Sequence, residues 1–318
     1  MRAKPAPINT ESTTAAADGT FLVAGHPVAA PKATPGLYLV ATPIGNLRDI
    51  TLRALETLAS VDIIACEDTR ITRRLTERYG IKTELTPYHE HNAAIARASI
   101  LARLAQGASV ALVSDAGTPL VSDPGFKLVR EACAAGYTVT ALPGPSSVLT
   151  ALSVAALPTD RFFFEGFLPP KQARRRARLS ELARIDATLV IFETGNRIRE
   201  ALADLAEILG AREAAICREL TKLHEEVART TLAEFASNAR AVETRGEFVL
   251  VIGPPHPDAR ELTSEALDDL LRGQLKHQSV KDAVAHAVEL SGRPRREVYA
   301  RALELAKKTS DRGGNGRD

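Results

Sequence analysis

The 318-residue sequence contains no tryptophan, only 4% aromatic residues and three cysteines. So few aromatic side chains argue against a surface of stacked rings of the kind that binds single-stranded nucleic acid without sequence preference. Cys66, Cys133 and Cys217 form no CxxC pair, which disfavours a cysteine-based zinc site and a disulfide framework. This cysteine usage predicts a protein of the reducing cytoplasm.

Phosphate-binding motifs and long apolar segments are also missing. The chain has neither GxGxxG nor GxxxxGK, which lowers the expectation of a nucleotide phosphate, although backbone amides alone can hold one. Its longest weakly polar stretch, 137–158, contains Pro143 and Pro145, so no membrane span is expected. Residues 1–36 lack the apolar centre of a signal peptide and are predicted to form a disordered arm. A net charge of +2 does not indicate nucleic-acid binding by the whole surface, so any such signal must be local.

From residue 37 the pattern predicts an α/β fold. Short apolar runs alternate with helical stretches, and buried strands are expected at 37–41, 61–66, 109–114 and 137–142. Alternating strands and helices indicate a parallel sheet, which would fill a first domain over 37–157.

For two helices of this domain, the sequence predicts the buried face or the ends. A helix over 52–60 would place Leu52, Leu55 and Leu58 on one face. A second helix is expected to start with Asp123 as its N-cap and Pro124 in its first turn, and to end before Gly136.

A second α/β domain is predicted over 158–253. Its strand candidates are 161–167, 187–193, 214–220, 224–230 and 246–253. The last two runs are close enough in sequence to be antiparallel neighbours, so a mixed sheet is expected. The remaining residues, 254–318, predict a helical tail with a disordered end. The tail fits either a helix-turn-helix module or a plain helical hairpin.

Three expected strand exits are rich in glycine, proline and small polar residues: 41–49, 114–125 and 142–147. Ligands of open α/β sheets bind where such exits converge, at the carboxyl ends of the strands. The second exit carries Asp115 and Asp123, and no lysine or arginine lies between Gly107 and Phe126. A neutral, zwitterionic or cationic ligand therefore suits these turns, and S-adenosylmethionine, which has a sulfonium and no phosphate, fits them.

Seven motifs occur in an order that resembles the ribosomal RNA methyltransferases of the tetrapyrrole methylase superfamily. They are TPIGNLRDIT, ACEDTR, PYHEHN, LVSDAGTPLVSDPG, LPGPSS, EGFLPPK and CRELTK. The resemblance implies two α/β domains of the class III methyltransferase type and a small helical C-terminal module. It also implies a homodimer with S-adenosylmethionine in the cleft between the domains. The implied activity is methylation of a cytidine 2′-hydroxyl in the decoding region of 16S rRNA, in the small (30S) ribosomal subunit.

The resemblance carries a set of cofactor contacts onto this chain. They are Pro43, Ile44, Gly45, Asn46, Asp115, Ala116, Gly117, Thr118, Pro119, Leu120, Gly144, Pro145, Ser146 and Ser147. Asp115 is the first choice for a polar contact to the cofactor's ammonium or ribose. Where relatives often have Glu-Ser-x-His-Arg, this chain has Glu193-Thr-Gly-Asn-Arg197, so no imidazole role is expected there.

Methyl transfer to a ribose hydroxyl benefits from a base that removes the proton. The group Glu67, Asp68 and Arg70 is the preferred candidate, with Glu165, Glu219 and Lys222 as further candidates. The alternative for Asp68 is that it caps a helix starting near Thr69 and pairs with Arg70. His89 and His91 have no third ligand nearby in the sequence, and no metal is expected.

Local basic runs supply the candidate RNA contacts. They are Lys171, Arg174, Arg175, Arg176 and Arg178 beside the EGFLP motif, Arg197, and Arg295 and Arg296 in the tail. The alternative for such a run is a solvated helix face. Rival functions are a tetrapyrrole C-methyltransferase, a diphthine synthase, and a non-catalytic RNA-binding assembly factor.

Overall fold

The structure, a computed structural model, describes residues 19–255, 264–275, 278–291 and 294–312. Two five-stranded sheets follow one another along the chain, preceded by a hairpin and followed by three helices.

The first sheet is parallel and has the strand order β5-β4-β6-β3-β7. Its strands are β3 (Gly36–Val40), β4 (Ile63–Cys66), β5 (Leu85–Pro87), β6 (Ser109–Val113) and β7 (Val139–Leu142). The helices are α1 (Leu52–Ser60), α2 (Thr69–Arg78), α3 (Ala93–Ala105), α4 (Phe126–Ala134) and α5 (Ser147–Ala155). Every residue of β4 and β6 is buried, as expected for central strands covered on both faces. The four strands predicted for this domain are confirmed.

An antiparallel hairpin of β1 (Gly19–Val23) and β2 (His26–Ala30) precedes the first sheet. Its turn residues Ala24 and Gly25 have φ values of 50° and 85°, the left-handed backbone that a two-residue hairpin turn requires. Phe21 and Ala30 are buried in the same core as α1. The prediction of a disordered arm over 1–36 is therefore wrong for 19–36, and residues 1–18 lie outside the described chain.

Two helix predictions need correction. Leu55 and Leu58 are buried, but Leu52 is 63% exposed because it lies in the open first turn of α1. Helix α4 starts at Phe126, and its N-cap is Gly125, not Asp123. The φ of Gly125 is 136°, a value outside the helical range, so the helix cannot include this residue. A Cβ at this position would lie 2.9 Å from Leu112 Cδ2.

The second sheet is mixed, as predicted, with the order β11-β10-β12-β9-β8. Its strands are β8 (Phe162–Phe167), β9 (Thr188–Thr194), β10 (Glu213–Arg218), β11 (Glu226–Thr231) and β12 (Glu247–Ile252). Its helices are α6 (Gln172–Leu182), α7 (Ile198–Leu209) and α8 (Leu232–Ser237). The β8–β9 pair is parallel and the other pairs are antiparallel. The pairing expected between the runs 224–230 and 246–253 is wrong, because β10 lies between β11 and β12.

Helix α5 links the two sheets. It follows the last strand of the first sheet, yet its buried residues Val148, Ala151 and Leu152 pack with Val190 and Val251 of the second sheet. The second sheet thus has α6 and α7 on one face and α5 on the other, and the carboxyl edge of the first sheet is held beside it.

The tail consists of α9 (Ser264–Gln274), α10 (Val280–Ser291) and α11 (Arg295–Arg312). Its buried apolar side chains, including Leu271, Val284 and Val298, form a core of their own. In the described ranges no helix has the length and apolar character needed to cross a membrane.

The basic run on α6 is divided between the interior and the surface. Arg175 is 1% exposed, and its Nε donates to Asp204 Oδ2 of α7 at 2.7 Å. Arg175, Leu179 and Leu182 share the buried face of α6 at helical spacing. The prediction that Arg175 contacts RNA is therefore wrong, because its guanidinium pairs with a buried carboxylate that fixes α6 to α7.

Replacing Arg175 with alanine should lower the free energy of unfolding by about 3–5 kcal/mol, since it leaves the buried Asp204 carboxylate without its main partner. Urea denaturation followed by circular dichroism measures the loss. Arg174→Ala is the matched control, because Arg174 is an exposed neighbour on the same helix. Equal stability of the two variants would contradict the structural role given to Arg175.

Candidate active site

The three strand exits predicted to converge are joined by hydrogen bonds. Thr42 and Gly117 exchange two backbone hydrogen bonds of 2.9 Å, and the Thr42 hydroxyl donates to the Ser114 carbonyl at 3.0 Å. The Thr118 hydroxyl donates to the Pro145 carbonyl at 3.3 Å. These loops follow β3, β6 and β7, which are neighbours in the sheet, so the convergence is a direct consequence of parallel strand order.

A cavity of about 320 Å3 lies between these loops and the second sheet. Seven of the predicted cofactor residues line it: Ile44, Asp115, Ala116, Gly117, Thr118, Ser146 and Ser147. Ser146 is also the N-cap of α5, so the start of that helix faces the cavity.

The other predicted cofactor residues lie outside this lining. Gly144 and Pro145 border an adjacent shallow cavity, and Pro43, Pro119 and Leu120 belong to the loop backbones. The Asn46 N–H donates to Thr221 Oγ1 at 3.2 Å, and a Cβ on Gly45 would lie 2.4 Å from Lys222 Cγ. The first loop is thus pressed against the CRELTK segment of the second domain. Direct cofactor contacts by these residues stay a prediction.

The electrostatics of the cavity favour a cation. Burial raises the pKa of Asp115 and of Asp123, and each is raised further by a neighbouring carboxylate. Glu67 does not line the cavity, but burial raises its pKa too, with additional contributions from Asp115, Asp123 and Asp68. A bound cation would relieve this repulsion. The residues present therefore fit S-adenosylmethionine, whose sulfonium and ammonium are positive.

The second sheet contributes cavity residues that sequence analysis missed as cofactor or substrate contacts. They are Phe167, Phe192, Glu193, Thr194, Cys217, Glu247, Phe248 and Val249, with Leu220 just after β10 and Val121 and Ser122 from the loop. Asp123, which the sequence analysis named at this exit, lines the cavity as well. Two features of the sequence could have indicated some of these residues: Asp123 at the end of the second exit, and the EGFLP motif, which contains Phe167. For the other second-sheet residues no local signal existed, because only the packing of α5 brings them to the first domain. Burial raises the pKa of the Cys217 thiol to about 11, so this sulfur is not a thiolate at neutral pH.

The candidate catalytic residues have distinct surroundings. Asp68 caps α2 and accepts three bonds from the Arg70 guanidinium, two from Nε at 3.0 and 3.1 Å and one from Nη2 at 2.5 Å, which lower its pKa to about 2. Its backbone N–H donates to Asp115 Oδ1 at 2.9 Å. Lys222 forms ion pairs of 2.9 Å with Glu219 and Glu247, which favour its charged form. Of these residues, Glu67 has the environment best suited to a general base, because its raised pKa moves towards neutrality.

Several charged candidates are already paired within the fold. Glu165 and Arg178 form a two-bond ion pair at 2.7 Å, and Arg176 pairs with Glu207. Arg197 lies 3.3 Å from Glu193 and donates to the Leu168 carbonyl at 2.7 Å. In contrast, four of the predicted RNA contacts have exposed side chains: Lys171, Arg174, Arg295 and Arg296.

His89 and His91 contact each other through their rings. The two rings meet edge to face, with centroids 6.1 Å apart. Across the described ranges, no cluster of three or more His, Cys, Asp or Glu side chains is arranged to hold a metal ion.

Comparison with known proteins agrees with this architecture. A family model described as Tetrapyrrole (Corrin/Porphyrin) Methylases matches residues 36–236. A relative from Mesorhizobium japonicum, named ribosomal RNA small subunit methyltransferase I, is 49% identical over 284 residues, covering 89% of this chain and 96% of the relative. The chain belongs to the tetrapyrrole methylase family. This assignment confirms the predicted fold class, and S-adenosylmethionine is the predicted cofactor that the family binds.

Further comparisons concern a second relative, the fold and the tail. A relative of the same name from Escherichia coli O157:H7 is 43% identical, covering 84% of this chain and 94% of the relative. A solved diphthine synthase covers 68% of this chain and 88% of its own with a TM-score of 0.55, but at 18% identity it shows only the shared fold. A model described as the RsmI C-terminal HTH domain matches residues 261–306, which favours a helix-turn-helix tail over a plain hairpin.

Asp123→Asn should separate stability from ligand binding in this tetrapyrrole methylase. The folded-state pKa of Asp123 lies above its ordinary 3.8, so ionisation costs stability as the pH rises through that pKa and the cost persists at neutral pH. The asparagine variant should therefore melt at a higher temperature. It should also lose preference for S-adenosylmethionine over the uncharged thioether S-adenosylhomocysteine by roughly fivefold, or about 1 kcal/mol.

Differential scanning calorimetry and isothermal titration with both compounds measure these effects. Asp49→Asn is the control, since Asp49 lies in the first exit but outside the cavity lining. An unchanged preference in Asp123→Asn would contradict the role of this carboxylate in selecting a cation.

Proposed function

We propose that this protein is an S-adenosylmethionine-dependent methyltransferase that methylates a cytidine ribose 2′-hydroxyl of 16S rRNA in the small ribosomal subunit. The observation that carries the proposal is 49% identity to a ribosomal RNA small subunit methyltransferase I across 89% of this chain. Support comes from the acid-lined cavity between the domains and from the match of the tail to the RsmI C-terminal HTH domain.

The cofactor supplies a methyl group bound to a positively charged sulfur. Asp115 and Asp123 stabilise that positive end, and the hydrogen-bonded loops around Thr42, Gly117 and Pro145 hold it in one orientation. Apolar side chains such as Val148 and Phe192 exclude water from the cavity. The main contribution of the protein is to align the ribose oxygen, the methyl carbon and the sulfur.

Glu67 is the proposed general base that accepts the proton of the ribose hydroxyl. Its raised pKa keeps it more basic than an exposed carboxylate, whereas Asp68, with a pKa of about 2, is a poor proton acceptor. Asp68 and Arg70 then position the start of α2, and the protonated Lys222 holds Glu219 and Glu247 at the other side of the cleft.

The exposed cations provide the proposed RNA contacts. Lys171 and Arg174 lie at the first turn of α6, directly after the strand that ends at the cavity, and Arg295 and Arg296 begin α11. Backbone phosphates of a folded RNA region are the natural partners of such side chains. Arg176, Arg178 and Arg197 are mainly engaged in ion pairs within the second domain. A ribosomal substrate also implies a cytoplasmic enzyme, and the family resemblance implies a homodimer, which sedimentation analysis tests.

The proposal is tested by incubating the protein with methyl-labelled S-adenosylmethionine and one of three acceptors: 30S subunits lacking the modification, naked 16S rRNA or uroporphyrinogen. Label in the RNA at a single cytidine ribose, located by nuclease digestion and mass spectrometry, is expected. Label in the porphyrinogen would identify a tetrapyrrole C-methyltransferase, and no transfer to any acceptor would identify a binding factor without this activity.

Glu67→Gln should lower kcat for subunit methylation by roughly 10²–10⁴-fold, the usual contribution of a positioned base, and leave cofactor affinity unchanged. Single-turnover methylation measures the rate, and titration calorimetry measures the affinity. Asp68→Asn is the matched control: asparagine caps a helix as well as aspartate does, so the rate should change little. If only Asp68→Asn slows methylation, Asp68 and not Glu67 is the general base, and the proposal for Glu67 is wrong.

The double variant Lys171→Ala/Arg174→Ala should bind the small subunit more weakly and with a lower salt dependence. Two lost phosphate contacts reduce the slope of log K against log salt by about 1.4–1.8. Filter binding across a salt series measures the slope. Arg184→Ala, an exposed change just beyond the other end of α6, is the control; a slope equal to wild type in the double variant would remove α6 from the RNA interface.

A further inference from the structure

One irregularity in the second sheet decides where Phe167 lies. In the β8–β9 pair, Phe164 is opposite Val190 and Phe167 is opposite Phe192, so β8 has one more residue than β9 over this stretch. Without this bulge Phe167 would be opposite Glu193, and its side chain would lie on the same face as Ile191, which packs with α6 and α7, because side chains alternate along a strand. The extra residue moves Phe167 to the face that borders the cavity.

The bulge is held in place from both sides. Gly166 has a φ of 74°, and a Cβ there would lie 3.0 Å from the Ser122 hydroxyl of the Asp-bearing loop. After Phe167, the Leu168 carbonyl accepts a 2.7 Å bond from Arg197 Nη2, which is anchored beside the buried Glu193. Ser122 thus approaches the backbone closely on one side of Phe167, and a hydrogen bond from Arg197 fixes the backbone on the other.

The resulting aromatic ring is presented to solvent at the mouth of the cavity. Phe167 is 53% exposed and also lines the cavity. Its ring meets Phe192 edge to face with centroids 5.6 Å apart, and Phe192 meets Phe164 in the same way at 4.9 Å. Edge contacts of this kind fix the orientation of the Phe167 ring. An exposed ring in a fixed orientation is suited to binding a flat partner.

We propose that Phe167 stacks on the base of the nucleotide whose ribose enters the cavity. This inference rests on the proposed function and names a residue that holds the substrate. Lys171 and Arg174 follow Phe167 closely in the chain and are exposed, so side chains suited to a phosphate begin within a few residues of the ring. A nucleotide whose ribose enters the cavity loses stacking on its neighbours in the RNA, and a stack on an aromatic side chain replaces it.

Phe167→Leu keeps an apolar side chain but removes the flat ring. It should lower kcat/KM for subunits by roughly five- to hundredfold, the effect of losing one base–aromatic stack, mainly through a higher KM. The affinity for S-adenosylmethionine should be unchanged, which also shows that the variant is folded. Phe167→Tyr restores the ring and should recover wild-type KM. Phe162→Leu, an exposed phenylalanine at the opposite end of β8, is the matched control and should behave as wild type.

The outcomes separate this inference from the proposed function. If the wild-type protein methylates subunits and Phe167→Leu has the same KM, the stacking role is wrong while the function stands. If Phe167→Leu instead weakens S-adenosylmethionine binding and leaves the KM for subunits unchanged, the ring contacts the cofactor's adenine, and the inference is equally wrong. If wild type fails on every RNA acceptor, the proposed function itself fails.

Discussion

The packing of α5 against the second sheet is the contact on which the site depends. Val148, Ala151 and Leu152 are buried against Val190 and Val251, and this apolar contact holds the two sheets side by side. Ser146 and Ser147, at the start of the same helix, therefore reach the cavity at a defined distance from Phe192 on the opposite wall. A single helix both joins the domains and forms part of the cofactor cleft.

Charge is distributed differently inside and around the cleft. Within it, Asp115 and Asp123 carry raised pKa values and are poorly compensated, so the site is prepared for a cation. Outside it, many basic side chains are already paired with carboxylates, as Arg175 is with Asp204 and Arg178 with Glu165. The protein thus uses part of its basic content to fix α6 to its neighbours, and only the remainder is available to an anionic polymer.

Backbone strain is concentrated where the two domains meet. Leu120 and Ser122 have φ values of 76° and 63°, a conformation that costs non-glycine residues about 1–3 kcal/mol each, and they flank the cavity residue Val121. The same loop touches the bulge at Gly166. Together the tight turns and the bulge bring a loop of the first domain and a strand end of the second domain to the same opening of the cavity.

Local patterns were sufficient for most strands of the two sheets, although not for β5, and for the three loops that border the cavity. Apolar runs predicted the strands, and the three loops at 41–49, 114–125 and 142–147 were recognisable because the carboxyl ends of parallel strands always share one edge of a sheet. The hairpin at 19–30, the burial of Arg175 and the aim of Phe167 were not recognisable, since each depends on partners far along the chain: α1, Asp204 and the β9 register. The spacing of apolar residues along the sequence predicts which side chains are buried. Which surfaces they meet is settled only when α5 and the two sheets pack together, because contact free energy belongs to pairs of distant residues and not to any segment alone.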